Sequence, residues 1–502
     1  MRSLLIWVAA TGLLNAPAAL AHDDHGGLTE AKEDGRAASA KDAKGRKWLS
    51  GDHHIHSEFS ADYKADPAAP DEAPKPLLGK DGRYSIARNA QMGASFGLNW
   101  MVSTDHGGPL HSRLNFDQAY PQLLVARKAV PQILIFYGME FDTPAGDHSS
   151  MIIPFTKGER AQLRDIEARF SKREAFPVDP ARDTEPRMIE ALRYMRAQQR
   201  QPVLIANHPS RSAKDVGVYG QYTPAEFRNW NDTAPTVSVG MEGAPGHQAG
   251  ALKPDGSNDP EGARGGYRNS PTLGGFDQMT ARLGGFWDSM LGEGRRWWIT
   301  ATSDSHSNWR DGGSDFWPGE YSKTYVHARR DHADVLDGLR NGRVFVTTGD
   351  LISELDVSVA VHGARQAAMM GVTMGGTIMA KPGDDVEVTI RLRDPAAANF
   401  GGFTPAVARV DLIVGEVTGP VADRTADQNP TTRVEKRFTA ADWTKTGEVL
   451  TMRHTLRDLR GPVYLRVRGT NTTQAEPVPD PKGENPWEDL WFYGNPVFVK
   501  VK

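Results

Sequence analysis

Short apolar runs bordered by histidines and carboxylates recur along much of the chain, and they constrain its fold more than any other feature. Leu98–Ser103 is followed by Asp105 and His106, Ile133–Tyr137 by Glu140, Val203–Ala206 by His208, and Trp297–Ala301 by Asp304 and His306. Asp147 and His148 instead precede their run, Met151–Ile153. Near-continuous apolar runs of this length fit strands buried on both faces, and reactive residues gather where such strands end. Between the runs, Met188, Leu192 and Met195 repeat at helical spacing after Asp183, Thr184 and Pro186. Further helices are predicted from Asp277 to Leu291, and from Asp334 to Arg340 before the Asn341-Gly342 stop. The alternation predicts a parallel sheet covered by helices and, at this size, a closed β/α barrel.

The remaining segments differ in texture. Residues 1–21 pair an early Arg2 with an apolar stretch and end in Ala19-Leu20-Ala21, the pattern of a cleavable secretory signal. The apolar stretch is shorter than the roughly 20 residues of a spanning helix, so the expected location is periplasmic or secreted, with no membrane span. Residues 22–47 read as a disordered, solvated tail, despite His22, Asp23, Asp24 and His25. The barrel is expected over 48–350 and an all-β domain over 351–502, where Val386–Leu392, Val407–Val414 and Val463–Val467 alternate between Gly/Pro/Asp-rich turns. Gly240–Gly275 reads as a long loop beside the active site. The net charge of −4 offers no field for polyanions, so no nucleic-acid partner is required. With no cysteine in the chain, thiolate chemistry is excluded.

The densest signal is Asp52-His53-His54-Ile55-His56-Ser57. In extended backbone His54 and His56 face the same side and can address one ion, while His53 faces away. Taken in order, H-x-H-S, T-D-H, G-x-E, D-H, N-H-P and S-D-x-H resemble the PHP (polymerase and histidinol phosphatase) family over Asp52 to His306.

That resemblance implies a distorted (β/α)7 barrel, followed here by a small all-β sandwich-like domain, with two or three divalent ions per chain. It places His54, His56, Glu140 and Asp304 on a first ion, and has Glu140 bridge to a second held by His148 and His208. A third would rest on His106 and His306. The family's acid shortly after H-x-H is assigned to Asp62, with Glu58 and Asp66 nearby. Asp105 is expected to orient a histidine. The nitrogen and oxygen donors suit Mn2+, Zn2+ or Fe2+.

The chemistry expected is hydrolysis of a small-molecule phosphoester, phosphodiester before monoester, by a hydroxide that the ions make available at a pKa of roughly 7. Arg211 is the candidate for neutralising phosphoryl charge and His247 for protonating the leaving oxygen. Tyr267, Arg268, Trp309 and Arg310 are candidates for lining the pocket. Two other readings are a metal-dependent hydrolase of carboxylic ester, lactone or amide bonds, and a metal-stabilised binding protein. The aromatic residues Trp487 and Trp491-Phe492-Tyr493 are expected to pack in a core. Oligomeric state is not legible.

Overall fold

The computed structural model describes residues 45–266, 270–362 and 372–502. The signal-like residues 1–21, the tail as far as residue 44, and Tyr267 and Arg268 therefore lie outside the described residues. Strand pairing begins at Lys47, and Arg46 holds Asp334 at 2.9 Å, so the last two residues assigned to the tail already belong to the fold.

The protein is a mixed α/β structure built on one large mixed sheet, with a β-rich region towards its C-terminus. The strands that position the site are β1 (Lys47–Asp52), β2 (Trp100–Ser103), β3 (Leu134–Asp142), β4 (His148–Ile152), β5 (Val203–Ala206), β6 (Ser238–Ala244), β7 (Trp298–Ala301), β8 (Ser322–Ala328) and β9 (Val344–Thr348). Their order across the sheet is β9-β8-β1-β2-β3-β4-β5-β6-β7. The pairs β1/β2, β2/β3, β5/β6 and β6/β7 are parallel. The sheet is not wholly parallel as predicted, because β4 runs antiparallel to both neighbours and β8 antiparallel to β1 and β9. The short turn from Asp142 to His148 forces that reversal: a chain that turns so tightly can only return alongside the strand it left.

The strand order curls back on itself. Ala301 of β7 donates its N–H to Thr324 Oγ1 of β8 at 2.8 Å, and that hydroxyl returns a bond to the Ala301 carbonyl at 2.7 Å. Just beyond β1 and β7, Ile55 and Ser305 form a parallel bridge. Strands β2, β5 and β7 are buried throughout, which accounts for their unbroken apolar sequences.

Helices cover the outer face. Pro186 opens the helix Glu185–Ala197, and Thr223 with Glu226 forms a capping box at the start of Pro224–Thr233. The single helix expected from Asp277 to Leu291 is two, Gln278–Ala281 and Phe286–Gly292. Gly284, at φ 71°, breaks the run.

The β-rich region is continuous with this sheet. Trp491–Gly494 pairs with β9 and in turn with Val463–Thr470, so the aromatic run Trp491-Phe492-Tyr493 is a buried strand. A second sheet contains Glu354–Val361, Asp384–Arg393 and Val449–Leu459, whose alternating buried residues, Val388 and Ile390 among them, share a core with Leu412 and Leu465 of the first. Among the described residues, no helix is long and apolar enough to cross a membrane.

Candidate metal centre

The H-x-H segment begins where β1 ends. Gly51 leaves room for the Trp100 indole, which an added Cβ would approach to 1.9 Å. Asp52 then ties two strand ends together by accepting from His54 N at 3.0 Å and Ser303 N at 3.1 Å. His53 turns away to Thr300 Oγ1 at 2.7 Å, and burial lowers its pKa to about 4.

His54 and His56 turn inward together. His54 Nε2 lies 3.0 Å from Glu140 and 3.0 Å from Asp304, while its Nδ1 is held by Glu242 at 2.7 Å. His56 Nε2 lies 3.1 Å from Asp304, and its Nδ1 is 2.7 Å from Ser60 Oγ. That hydroxyl donates to Asp105, which also accepts from Ser57 N and Oγ at 2.5 and 2.8 Å. Asp105 thus reaches the site through Ser60 and fixes the orientation of His56.

Glu140, inside β3, gathers the other side. His148 Nδ1 and His208 Nε2 approach one of its oxygens at 3.0 and 3.1 Å. His106 and His306 meet at Asp81, at 2.8 and 3.5 Å. Asp81 stands where Asp62 was expected. Asp62 is exposed, at the start of a short hairpin (Asp62–Lys64 with Lys75–Leu77) that carries the chain away. The chain returns at Gly82, whose Cβ would lie 2.0 Å from the Ser57 carbonyl oxygen; only glycine allows so close an approach beside Asp81.

His247 bridges two acids, with Nε2 2.9 Å from Asp304 and Nδ1 2.5 Å from Asp315. Arg211 grips Asp147 through Nε and a terminal nitrogen at 3.3 and 2.7 Å and remains about one third exposed, with 34% of its side-chain surface accessible. Trp309 is buried, and Arg310 stacks on it at 4.1 Å while pairing with Glu320 at 2.5 Å, so both have structural partners. His208, His247 and Asp304 have φ of 30°, 59° and 48°. Such backbone costs on the order of 1–3 kcal/mol per residue and collects where side-chain position matters.

Sequence reading missed Asp81, Asp142, Glu242 and Asp315. Glu242 fell in Gly240–Gly275, read as a loop, whereas β6 continues to Ala244; the others are single acids in turns or strand ends.

The electrostatics follow from packing acids and imidazoles together. Burial pushes the Glu140 and Asp304 carboxyls up, but His148 and His54 outweigh it for Glu140 and His54 and His247 for Asp304, holding both well below the usual range. His148 rises to about 10, because Glu140 and Asp142 overcome the effect of burial. Burial and the neighbouring His306 lower His56 to about 3.

Several buried polar atoms of these residues make no well-directed hydrogen bond: His56 Nε2, His106 Nδ1, His148 Nδ1, His208 Nδ1, Asp81 Oδ2 and Asp304 Oδ1, although His56 Nε2, His148 Nδ1 and Asp81 Oδ2 lie at ion-pair distance from a neighbour. Each such orphan costs on the order of 1–3 kcal/mol unless something else satisfies it. A cation satisfies lone pairs that cannot bond to each other, so the donor set fits divalent metal. Within this cluster, three groups have ligand atoms within 4.8 Å of one another: His54/Glu140/His208, His54/His56/Asp304 and His56/His106/His306. A fourth, His247/Asp304/His306, would make His247 a ligand as well.

The chain matches no protein-family model and no curated protein.

Proposed function

We propose that the protein is a metal-dependent phosphoester hydrolase, acting on phosphodiesters before monoesters, with a distorted (β/α)7 barrel of PHP type around its site. The observation that carries this reading is the convergence of His54, His56, His106, Glu140, His148, His208, Asp304 and His306, from six stretches of chain, on one crowded cluster of imidazoles and carboxylates. A structural site is closed by four ligands around one ion, and this cluster offers more than that.

His54, His56 and Asp304 would hold one ion, His148 and His208 a second shared through Glu140, and His106, His306 and Asp81 a third. Divalent cations of the Mn2+, Zn2+ or Fe2+ class supply a water of lowered pKa and positive charge opposite the phosphoryl oxygens.

The chain's own residues do the rest. Glu242 and Ser60 hold the second ring nitrogens of His54 and His56, fixing which nitrogen faces the site. Arg211 is anchored by Asp147 with about a third of its side chain accessible, placing a fixed positive charge beside His208 for a phosphoryl oxygen. His247 is held from behind by Asp315, the arrangement that suits an imidazole delivering a proton to a leaving oxygen. Residues 1–21 support a periplasmic or secreted location.

The test is metal analysis of purified protein, then turnover of nitrophenyl mono-, di- and triesters of phosphate beside a nitrophenyl carboxylate. Diester turnover lost on chelation and restored by Mn2+ is the expected result. Turnover of the carboxylate alone would assign the site to carbonyl chemistry instead.

A further inference from the structure

Because β4 runs antiparallel, the helix that follows it, Glu159–Phe170, climbs back to the end of the sheet where the metal cluster lies. The chain leaving that helix is laid along the rim: Lys172 N donates to the Asp142 carbonyl at 3.1 Å, and Leu110 N donates to the Glu174 carbonyl at 2.9 Å. Two cations, Lys172 and Arg173, are thereby set beside the end of β3. Lys172 is occupied, donating Nζ to the Gly146 carbonyl at 2.6 Å. Arg173 is not. Among the described residues its one bond is a long contact to Asp142 Oδ1 at 3.4 Å, and 47% of its side-chain surface is exposed. Asp142 does not need the whole guanidinium, since it also accepts from Ser171 Oγ at 3.3 Å and faces His148 Nε2 at 3.5 Å.

The His148 edge of the cluster is therefore flanked by two arginines, Arg211 behind Asp147 and Arg173 above Asp142. Each is paired with one carboxylate at the edge of the cluster, and each keeps N–H groups for a ligand. One anion at the reacting centre accounts for Arg211 only. We propose that the substrate carries a second anionic group, a carboxylate or phosphate on its non-reacting arm, received by Arg173. This rests on the phosphoester reading only in taking the first anion to be the reacting phosphoryl group. Arginine suits the role because its planar fork meets either oxyanion with two parallel bonds.

A matched pair of substrates reads the inference: ethyl 4-nitrophenyl phosphate and 2-carboxyethyl 4-nitrophenyl phosphate, with Mn2+-loaded protein. The expected result is a kcat/KM about tenfold higher for the carboxylate-bearing ester, expressed mainly in KM. That ratio falls to about one in Arg173→Gln and is partly kept in Arg173→Lys. Calorimetric titration with the products, ethyl phosphate and 2-carboxyethyl phosphate, reads the same preference without turnover. No preference in the wild type, or a preference that survives Arg173→Gln, overturns the inference. Hydrolysis of both esters without preference sinks it while leaving the phosphoester reading intact. A binding preference without hydrolysis of either ester keeps the anion site and removes the phosphoester reading.

Discussion

His56 and His306 lie face to face, their ring centroids 3.6 Å apart and their planes 18° from parallel. Two imidazolium ions at that separation repel, so the pair holds at most one proton with ease. Burial lowers both rings, but Asp81 and Asp304 lift His306 to about 9 while His56 stays near 3. Both rings also turn a nitrogen towards one oxygen of Asp304, at 3.1 and 3.4 Å. An acid that collects two stacked histidines and His54 besides is the residue the cluster can least spare. Asp304→Asn is expected to lower turnover by at least about 100-fold. His208→Ala, on the opposite side of Glu140, should do the same. Circular dichroism should remain that of the wild type, because neither side chain supports the apolar core. Turnover retained in both variants would remove these residues from the ligand set.

Glu242 makes a separate prediction, because it touches the cluster only from behind. It accepts from His54 Nδ1 at 2.7 Å, Thr302 Oγ1 at 2.8 Å and His208 N at 2.6 Å. Glu242→Gln sets a donating NH2 where an oxygen must accept, against His54 Nδ1 and Thr302 Oγ1 in one orientation and against His208 N in the other, so either orientation unseats one ligating histidine. Metal affinity is expected to fall about 10–100-fold, the usual consequence of losing a carboxylate behind a ligating histidine. Competition with a chromophoric chelator measures it. Unaltered affinity would mean that His54 is oriented by something else.

Asp81 and Asp62 can be told apart by counting ions. Asp81 joins His106 to His306, whereas Asp62 is exposed on the outer hairpin. Asp81→Asn is expected to reduce the number of ions retained per chain in elemental analysis after gel filtration, and Asp62→Asn to leave it at the wild-type value. The reverse pattern would return the role to Asp62.

This pair also shows where sequence stops being informative. His54, Glu140 and His208 were legible because each borders an apolar run, and a strand buried on both faces must be apolar throughout. Asp81 follows a hairpin whose length follows no rule, so proximity in sequence favoured Asp62. Glu242 hid because the Gly-rich stretch from Gly240 reads as a loop, although the strand runs on to Ala244. The direction of β4 was equally hidden: its run Met151–Ile153 was read with the others as part of a parallel sheet, and the tight turn from Asp142 to His148 reverses it. The break at Gly284-Gly285 was visible in the sequence but outweighed by the helical pattern on both sides.

The last prediction concerns stability and a network away from the cluster. His111 is buried between Glu167, at 2.6 Å from Nδ1, and the Phe59 carbonyl, at 3.1 Å from Nε2, so it braces the loop behind His56 against the helix Glu159–Phe170. Burial lowers its pKa, but Glu167 and that carbonyl overcome the effect and raise it to about 9. A histidine whose folded pKa exceeds its unfolded value of roughly 6.5 contributes fully below that value, and the contribution is lost as pH rises through about 9. Glu174, bonded to Ser112 beside the same network, is raised to about 7 by burial and by Glu167. As a carboxyl that holds its proton more tightly when folded, it too loses stabilisation with rising pH, from about 4.5 through about 7. Both groups act in the same direction. In urea unfolding at fixed metal concentration, the wild type's advantage over His111→Gln should shrink by up to about 3 kcal/mol between pH of about 6 and about 10. Glu174→Gln should flatten the lower part of the wild-type profile and leave the upper part in place. Comparing variants cancels the pH dependence of metal binding, which the two proteins share. A His111→Gln difference that stays constant across that range would show that His111 is not charged in the folded protein.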